Sequence, residues 1–416
     1  MNIRAIKGIK DVLPGTVEIW QWIEGETRKR LEDYGFSEIK IPIFEITELF
    51  TRGIGETTDI VEKEMYTFED RDGKKITLRP EGTASVVRAY IEHRLFDGNP
   101  LAKLYYIGPM FRHERPQAGR LRQFYQIGAE MLGSQAPLVD VELLALLNDL
   151  FSSLEIPTLA LEINTVGCET CRPNFKKALQ GFLRDFITVL CLNCQRRIDT
   201  NPLRVLDCKE EGCRKITKSA PSIQSYLCPS CKPHFNTVLD GLSHLEISYQ
   251  INPRLVRGLD YYTKTAFEFT STSLGAQNAV AAGGRYDGLV QTLGGPETPG
   301  IGFALGMERL VSLVKKEKIS PTSLSCFIAV LGEKAQKTAL SIATQLRTNG
   351  FRVEMEHQNT SLKSQMRRAN KLGARYVVIL GEDELQRGKV TLRNMGNKEQ
   401  NEIEIKDLSA ILAKES

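Results

Sequence analysis

Between Tyr105 and Glu130 the chain reads YYIGPMFRHERPQAGRLRQFYQIGAE. Two strand-like runs, Tyr105–Ile107 to Phe111 and Arg112, and Arg122 to about Glu130, flank His113, Glu114, Arg115, Pro116, Gln117, Gly119 and Arg120. That connection is too polar to bury and too long for a tight hairpin turn. Period-two alternation puts Arg122, Phe124, Gln126, Gly128 and Glu130 on one face of the second run. A packing face would be apolar. A cation, an aromatic, an amide and an acid in alternation make the floor of a site for a charged ligand. Two more arginines open or sit in Gly- and Tyr-rich segments: Arg257 in RGLDYYTKTAFEF and Arg309 in GIGFALGMERL. Arginine suits phosphate and carboxylate because its planar fork binds both bidentately and keeps its charge. No GxxxxGK[ST] occurs, and GGRYDG (283–288) does not fit dinucleotide spacing, which excludes the P-loop and Rossmann routes to phosphate binding.

A second constellation is made of cysteine. Cys168/Cys171, Cys191/Cys194 and Cys228/Cys231 are CxxC pairs, and Cys208/Cys213 is a looser fourth. The first two pairs are 19 residues apart, within the range for a Cys₄ zinc site, and eight thiolates would suffice for two structural ions. The alternative is a set of reduced thiols. Cys326 stands alone as a core residue.

FRHERPQAGRLRQF resembles the second signature motif of class II aminoacyl-tRNA synthetases, in the wording of the histidyl-tRNA synthetase family. RGLDYYTKTAFEF resembles a segment particular to that family, and GIGFALGMERL resembles the third motif. The resemblance covers nearly the whole chain and implies ligation of L-histidine to its tRNA through a histidyl-adenylate, with ATP and Mg²⁺. It places Arg112 on the α-phosphate, Arg309 on the γ-phosphate, and Arg257 beside the substrate carboxylate and α-phosphate. RPEGT resembles the segment holding the amino group, so Glu81, Gly82 and Thr83 with Gln126 fall there. From the residues alone, Glu81 and Thr83 at a strand-to-helix junction are equally a helix cap. Glu130 and Tyr262 match the positions that bond the two edges of the imidazole, with Tyr261 and Tyr286 as aromatic wall. Arg115, Gln117, Arg120 and Arg122 lie where the acceptor end of a tRNA arrives. The family resemblance itself implies no metal in the cysteine-rich segment.

The elements that must carry these residues follow from pattern. An amphipathic helix over 15–33 (Val17, Trp20, Ile23, Thr27, Leu31) and a strand Ser37–Ile41 resemble motif one, which implies a homodimer. Ile54–Lys63 reads as a loop, followed by a hairpin turning at Asp72-Gly73 and a helix Ala84–Ile91 with Thr83 as its N-cap. Val139–Leu154 is an apolar helix and Ala160–Thr165 a buried strand. The expected organisation is an α+β catalytic domain, an antiparallel sheet flanked by helices, over 1–166 and 244–317. A helical cysteine-rich insertion covers 167–243, and a C-terminal α/β domain over 325–416 resembles the anticodon-binding domain shared by several class II synthetases. KKEKISPTSLS (315–325) is a linker candidate. In the last domain three short strands, Cys326–Leu331, Phe351–Glu354 and Arg375–Leu380, alternate with helices and suggest a mostly parallel sheet. Its segment SLKSQMRRANKLGAR carries Lys363, Arg367, Arg368, Lys371 and Arg375 without an acid, either a solvated face or an RNA contact.

The 416 residues, with 41% hydrophobic and 25% charged side chains, are an ordinary globular composition, and a net charge of +4 permits a nucleic-acid partner without demanding one. No apolar run approaches a membrane span and MNIRAIKGIKDVLPG has no signal-peptide core, so a cytosolic protein is expected. Two rival readings are a histidine-binding regulatory paralogue that charges no tRNA and a class II synthetase of another specificity. Loss of the arginines would favour the first, and loss of RGLDYY the second.

Overall fold

The computed structural model describes residues 3–414 except 57, 118, 157, 158, 276, 277, 316–323 and 359. Most of the linker candidate therefore lies outside the described residues. The chain divides into two compact units, Met1–Lys316 and Glu317–Ser416. Among the described residues no helix is long and apolar enough to cross a membrane.

In the first unit the strands, in chain order, are β1 (Ser37–Glu38), β2 (Phe44–Ile46), β3 (Tyr66–Glu69), β4 (Lys75–Leu78), β5 (Ala102–Phe111), β6 (Gln123–Leu132), β7 (Ala160–Thr165), β8 (Tyr249–Ile251), β9 (Thr263–Thr270), β10 (Ala279–Arg285) and β11 (Gly300–Gly306). Among the described residues, eight of them form the main sheet in the order β1-β5-β6-β11-β10-β9-β7-β8. The interior pairings are antiparallel; β1 and β8 join the two edges in parallel. The remaining three make a small sheet, β2-β4-β3. Its hairpin turns at Gly73, whose φ of +77° is a conformation glycine adopts without steric cost.

Helices cover the sheet because their sequences have one apolar stripe. Val17–Asp33 buries Ile19, Trp20, Ile23, Thr27 and Leu31, spaced at three to four residues, while Val17 is only half-buried. Pro137–Ser153 buries nine side chains, including Leu143, Leu144, Leu146, Leu147 and Leu150. The one acid in that buried set, Asp140, is there to hold Arg285. Arg285 is fully buried, donates from Nε to Asp140 Oδ1 at 2.7 Å, and gives its other N–H groups to the carbonyls of Ser134 and Ala136 at 3.0 Å. A buried cation with all three nitrogens hydrogen-bonded, Nη1 also to Asp287 Oδ1 at 3.1 Å, is a rigid fixture, and it fixes the end of β10 next to Tyr286.

Three local expectations differ from the structure. Ile54–Lys63 is not simply a loop: the helix Thr47–Ile54 precedes it, and one π-helical turn spans Ile60–Glu64, with Ile54 and Ile60 packed into the core. The strand Ser37–Ile41 is only two residues long. The helix after RPEGT starts at Thr83, with Gly82 as its N-cap, and it is Glu81 that caps the helix.

The segment beyond Gly167 is helical, with Arg172–Arg184, Leu192–Thr200, Glu211–Thr217 and Cys231–His244. The last of these packs on Pro137–Ser153, where Gly241 admits Val141: a Cβ at 241 would stand 2.7 Å from Val141 Cγ2.

In the second unit β12 (Cys326–Val330), β13 (Val353–Met355), β14 (Tyr376–Leu380), β15 (Lys389–Asn394) and β16 (Gln400–Glu404) lie in the order β13-β12-β14-β15-β16. β12 is parallel to both neighbours, but β15 and β16 add an antiparallel hairpin. The mostly parallel expectation therefore holds only for the first three strands. β16 is largely exposed and polar, so it lacks the apolar run by which the first three strands were found.

Candidate active site

Register sets the site. β5 and β6 pair from Ala102 opposite Leu132 to Phe111 opposite Gln123, and β6 pairs with β11 so that Glu130 faces Gly302. A Cβ at Gly302 would come within 1.7 Å of Glu130 Oε2, so only glycine leaves room for that carboxylate. Glu130 is fully buried, accepts from Thr83 Oγ1 at 2.7 Å, and accepts from the Tyr286 hydroxyl. Burial pushes its carboxyl up from 4.5 to about 8, against the pull of those two donors.

Around this acid the aromatic wall is continuous. Tyr261 stacks on Tyr262 at 4.7 Å and meets Tyr286 edge-on at 5.7 Å. Tyr106, which sequence reasoning missed, fills the space left by two glycines: a Cβ on Gly82 or on Gly128 would each stand 2.2 Å from its Cζ. The signal was available in the alternation, because Gly128 sits on the site face with no side chain of its own. Gln126 points its Oε1 into a buried position with no protein partner among the described residues. An acceptor so placed suits an ammonium group.

Glu81 accepts the N–H groups of Thr83 at 2.7 Å and Ala84 at 2.8 Å. The capping reading of this residue is therefore realised, which holds Thr83 in place to donate to Glu130. Arg79 locks the same segment from behind, donating to Ile41 O at 2.6 Å and Pro109 O at 2.8 Å.

The three arginines converge on one cleft of about 290 Å³, which Glu81, Thr83, Gln126, Tyr261, Tyr262 and Tyr286 also line. Arg112 donates from Nε to Pro80 O at 2.9 Å and lies over the Phe124 ring at 5.4 Å. Arg257 pairs with Glu268 and lies over the Tyr262 ring at 5.4 Å. Arg309 donates to Ala279 O, and its pKa is lowered first by burial and then by the like charge of Arg120 and Arg112. Clustered cations that burden each other in this way gain most from a polyanion. Glu268 was also missed; it is the one acid on β9, set between Phe267 and Phe269.

Not every expected residue lies in this cleft. Arg120 lines it and pairs with Glu114 at 3.1 Å. Arg115 and Gln117 are exposed on the connection, whose tip is narrower than its length suggested: Gln117 and Arg120 exchange backbone hydrogen bonds at 3.0 and 3.1 Å. Arg122 turns toward the N-terminal segment, its N–H bonding Gly8 O at 2.7 Å. In the second unit Lys363 and Arg367 are exposed, but Arg368 is not a free cation. It bridges to Glu356 at 3.3 Å and Glu354 at 3.7 Å and lies over Phe327.

The cysteines sort differently from their nearest spacing. One group is Cys168, Cys171, Cys228 and Cys231, the other Cys191, Cys194, Cys208 and Cys213, with the ligand atoms in each group within 4.8 Å of one another. The first two CxxC pairs thus do not share a site. All nine cysteines are free, and Sγ–Sγ separations of 3.7, 3.8 and 3.9 Å occur for Cys168–Cys171, Cys168–Cys228 and Cys191–Cys208. A tetrahedron with Zn–S bonds of about 2.3 Å has edges of about 3.8 Å, so the donor sets fit zinc.

An antiparallel sheet that gathers arginines from a strand end, a connecting segment and a helix around one cleft defines a class II aminoacyl-tRNA synthetase. The histidyl-tRNA synthetase family profile matches residues 8–169 and 218–310, and an anticodon-binding-domain profile matches 325–415. The histidine–tRNA ligase of Desulfatibacillum aliphaticivorans is 55% identical over 408 residues, 98% of this chain and 97% of that one. That of Syntrophotalea carbinolica is 52% identical over 99% of this chain and 98% of its own. The crystal structure of apo Staphylococcus aureus histidyl-tRNA synthetase superposes with a TM-score of 0.82 at 36% identity, covering 99% of this chain and all of that one. The chain belongs to the histidyl-tRNA synthetase family.

Proposed function

We propose that this enzyme activates L-histidine with ATP and transfers it to histidine tRNA. The observation that carries the specificity is the buried Glu130, bonded to Thr83 and Tyr286, two residues that line the cleft of the three arginines. In this reading Glu130 accepts from one imidazole N–H and the Tyr262 phenol bonds the other nitrogen. Gln126, with Glu81 and Thr83, receives the α-ammonium at the mouth of the pocket. A pocket that bonds both edges of the ring rejects isosteres lacking either group by leaving its own polar atoms unpaired.

Adenylation then needs no covalent enzyme intermediate. Arg112, supported by Pro80 O and Phe124, holds the α-phosphate; Arg309 holds the γ-phosphate end. Arg257 stabilises the charge that builds between carboxylate and α-phosphate in the transition state, with Glu268 fixing its fork. Mg²⁺ enters with ATP as part of the substrate.

Arg115, Gln117, Arg120 and Arg122 are assigned to the acceptor end of the tRNA, and Lys363, Arg367 and Arg368 to its anticodon arm, Arg368 as a braced residue. The division into a catalytic domain (1–166 and 244–317), an insertion (167–243) and an anticodon-binding domain (325–416) belongs to the same reading. So does a cytosolic homodimer, supported by exposed Ile43, Phe44, Ile46 and Phe68 on and beside the small sheet, which a partner would cover. Structural zinc is assigned to both cysteine groups. Charging of a histidine tRNA transcript with labelled histidine tests the whole reaction. Acid-stable histidyl-tRNA is the expected product, and adenylate formation without transfer would limit the enzyme to the first step.

A further inference from the structure

The first cysteine group stands at the neck of the insertion. Cys168 and Cys171 follow β7 as the chain leaves the sheet, and Cys228 and Cys231 meet them as it returns, with 56 residues between Cys171 and Cys228. The two sides already meet: the Cys228 N–H donates to Cys171 Sγ at 3.2 Å across the neck, and within the returning pair the Cys231 N–H donates to Cys228 Sγ at 3.4 Å. Gly167, with φ of +64°, makes the approach possible, since a Cβ there would lie 2.9 Å from Cys171 Cβ.

Next in sequence to Cys171 is Arg172. It is half-buried, and it spans from the neck to the amino-acid pocket: Nε donates to Val166 O at 3.1 Å, and Nη2 donates to the backbone carbonyl of Tyr262. The neck backbone pairs with the residues just beyond, Lys264 N donating to Gly167 O at 2.8 Å and Val166 N to Lys264 O at 2.7 Å. Val166 and Tyr262 share one packed cluster. A zinc tetrathiolate carries a net charge of about −2, which gives the half-buried guanidinium a counter-charge.

We infer that a zinc ion held by Cys168, Cys171, Cys228 and Cys231 is a positioning centre for the amino-acid pocket, acting through Arg172 on Tyr262. This rests on the reading of Tyr262 as a contact to the substrate imidazole. Zinc closes the neck, the closed neck fixes the start of the helix carrying Arg172, and Arg172 holds the Tyr262 carbonyl so that its phenol stays on the pocket wall. Arg172 is a positioning residue and touches no substrate.

The test uses the full-length enzyme, with zinc measured by elemental analysis after dialysis and KM values measured by pyrophosphate exchange. The wild type should hold about two zinc ions per chain, one for each tetrathiolate group. Arg172→Met should keep both ions, raise KM for histidine about tenfold, and leave KM for ATP within about twofold. Cys228→Ser should lose one ion and show the same selective rise. Arg172→Met with an unchanged histidine KM would overturn the positioning role, even if Cys228→Ser does not fold. Wild-type enzyme without zinc would overturn the metal centre. An enzyme with zinc but no histidine-dependent exchange would instead overturn the activity on which the inference rests.

Discussion

Glu130→Gln removes the titratable carboxyl while keeping shape, so it isolates what that buried group contributes. Two effects follow from its surroundings. The first concerns substrate. A hydrogen bond to a charged group contributes about 1.5–3 kcal/mol, against roughly 1 kcal/mol for a neutral one. Glutamine still accepts from the imidazole N–H but without the charge, a loss of about 0.5–2 kcal/mol that should raise the histidine KM about 2- to 30-fold, at 1.4 kcal/mol per factor of ten. ATP meets other residues, so its KM should stay within about twofold. The second effect concerns stability without histidine. Glu130 is pushed from 4.5 to about 8 by burial, so the folded protein favours its protonated form. That contribution is complete below pH 4.5, falls as pH rises, and is gone above about pH 8. Between pH 6 and 9 the wild type should lose at most about 3 kcal/mol from this group, a loss the glutamine variant does not share. Urea unfolding of both proteins at the two pH values reads the difference directly. Parallel pH profiles together with an unchanged histidine KM would refute the role given to Glu130.

Three further outcomes are expected. Arg257→Ala should slow exchange by about 10²–10³-fold, as for loss of a donor aimed at transition-state charge, with thermal unfolding and circular dichroism close to wild type; an unchanged rate would remove its electrostatic role. Gly302→Ala drives a methyl group into Glu130 Oε2 and Ala129 O, which should cost about 1–3 kcal/mol of stability and abolish histidine binding measured by calorimetry. The exposed pair Lys363→Ala/Arg367→Ala should lower kcat/KM for tRNA charging by about tenfold, more steeply at low salt, while exchange stays unchanged; equal effects on both reactions would argue against an anticodon-arm contact.

The site was legible because its chemistry conflicts with packing. Alternating Arg122, Phe124, Gln126, Gly128 and Glu130 has no reading as a core face, and the structure brings Phe124 and Gln126 to the lining of the pocket, with Glu130 buried behind it against Thr83, Tyr286 and Gly302. Residues that act by what they leave out were harder to see. Gly302 and Gly82 matter only because Glu130 and Tyr106 arrive from other strands, a fact of register that no local pattern contains. The cysteines teach the same lesson. Spacing alone allowed Cys168/Cys171 to join Cys191/Cys194, but the chain returns to the neck at Cys228, and the helices between them place the second group by itself. In the second unit Gln400–Glu404 escaped detection because a polar edge strand is held by its ladder with little apolar periodicity to announce it, whereas Lys389–Asn394 did carry a short signal, Val390 and Leu392 alternating as buried residues, that sequence reading passed over.

Histidine-dependent exchange between ATP and labelled pyrophosphate, run with each of the twenty amino acids in turn, tests the central claim most directly. Exchange with histidine alone is the predicted result. Histidine binding without exchange would contradict it and leave a histidine sensor on a synthetase fold; exchange with another amino acid would show that Glu130 and its tyrosines read a different side chain.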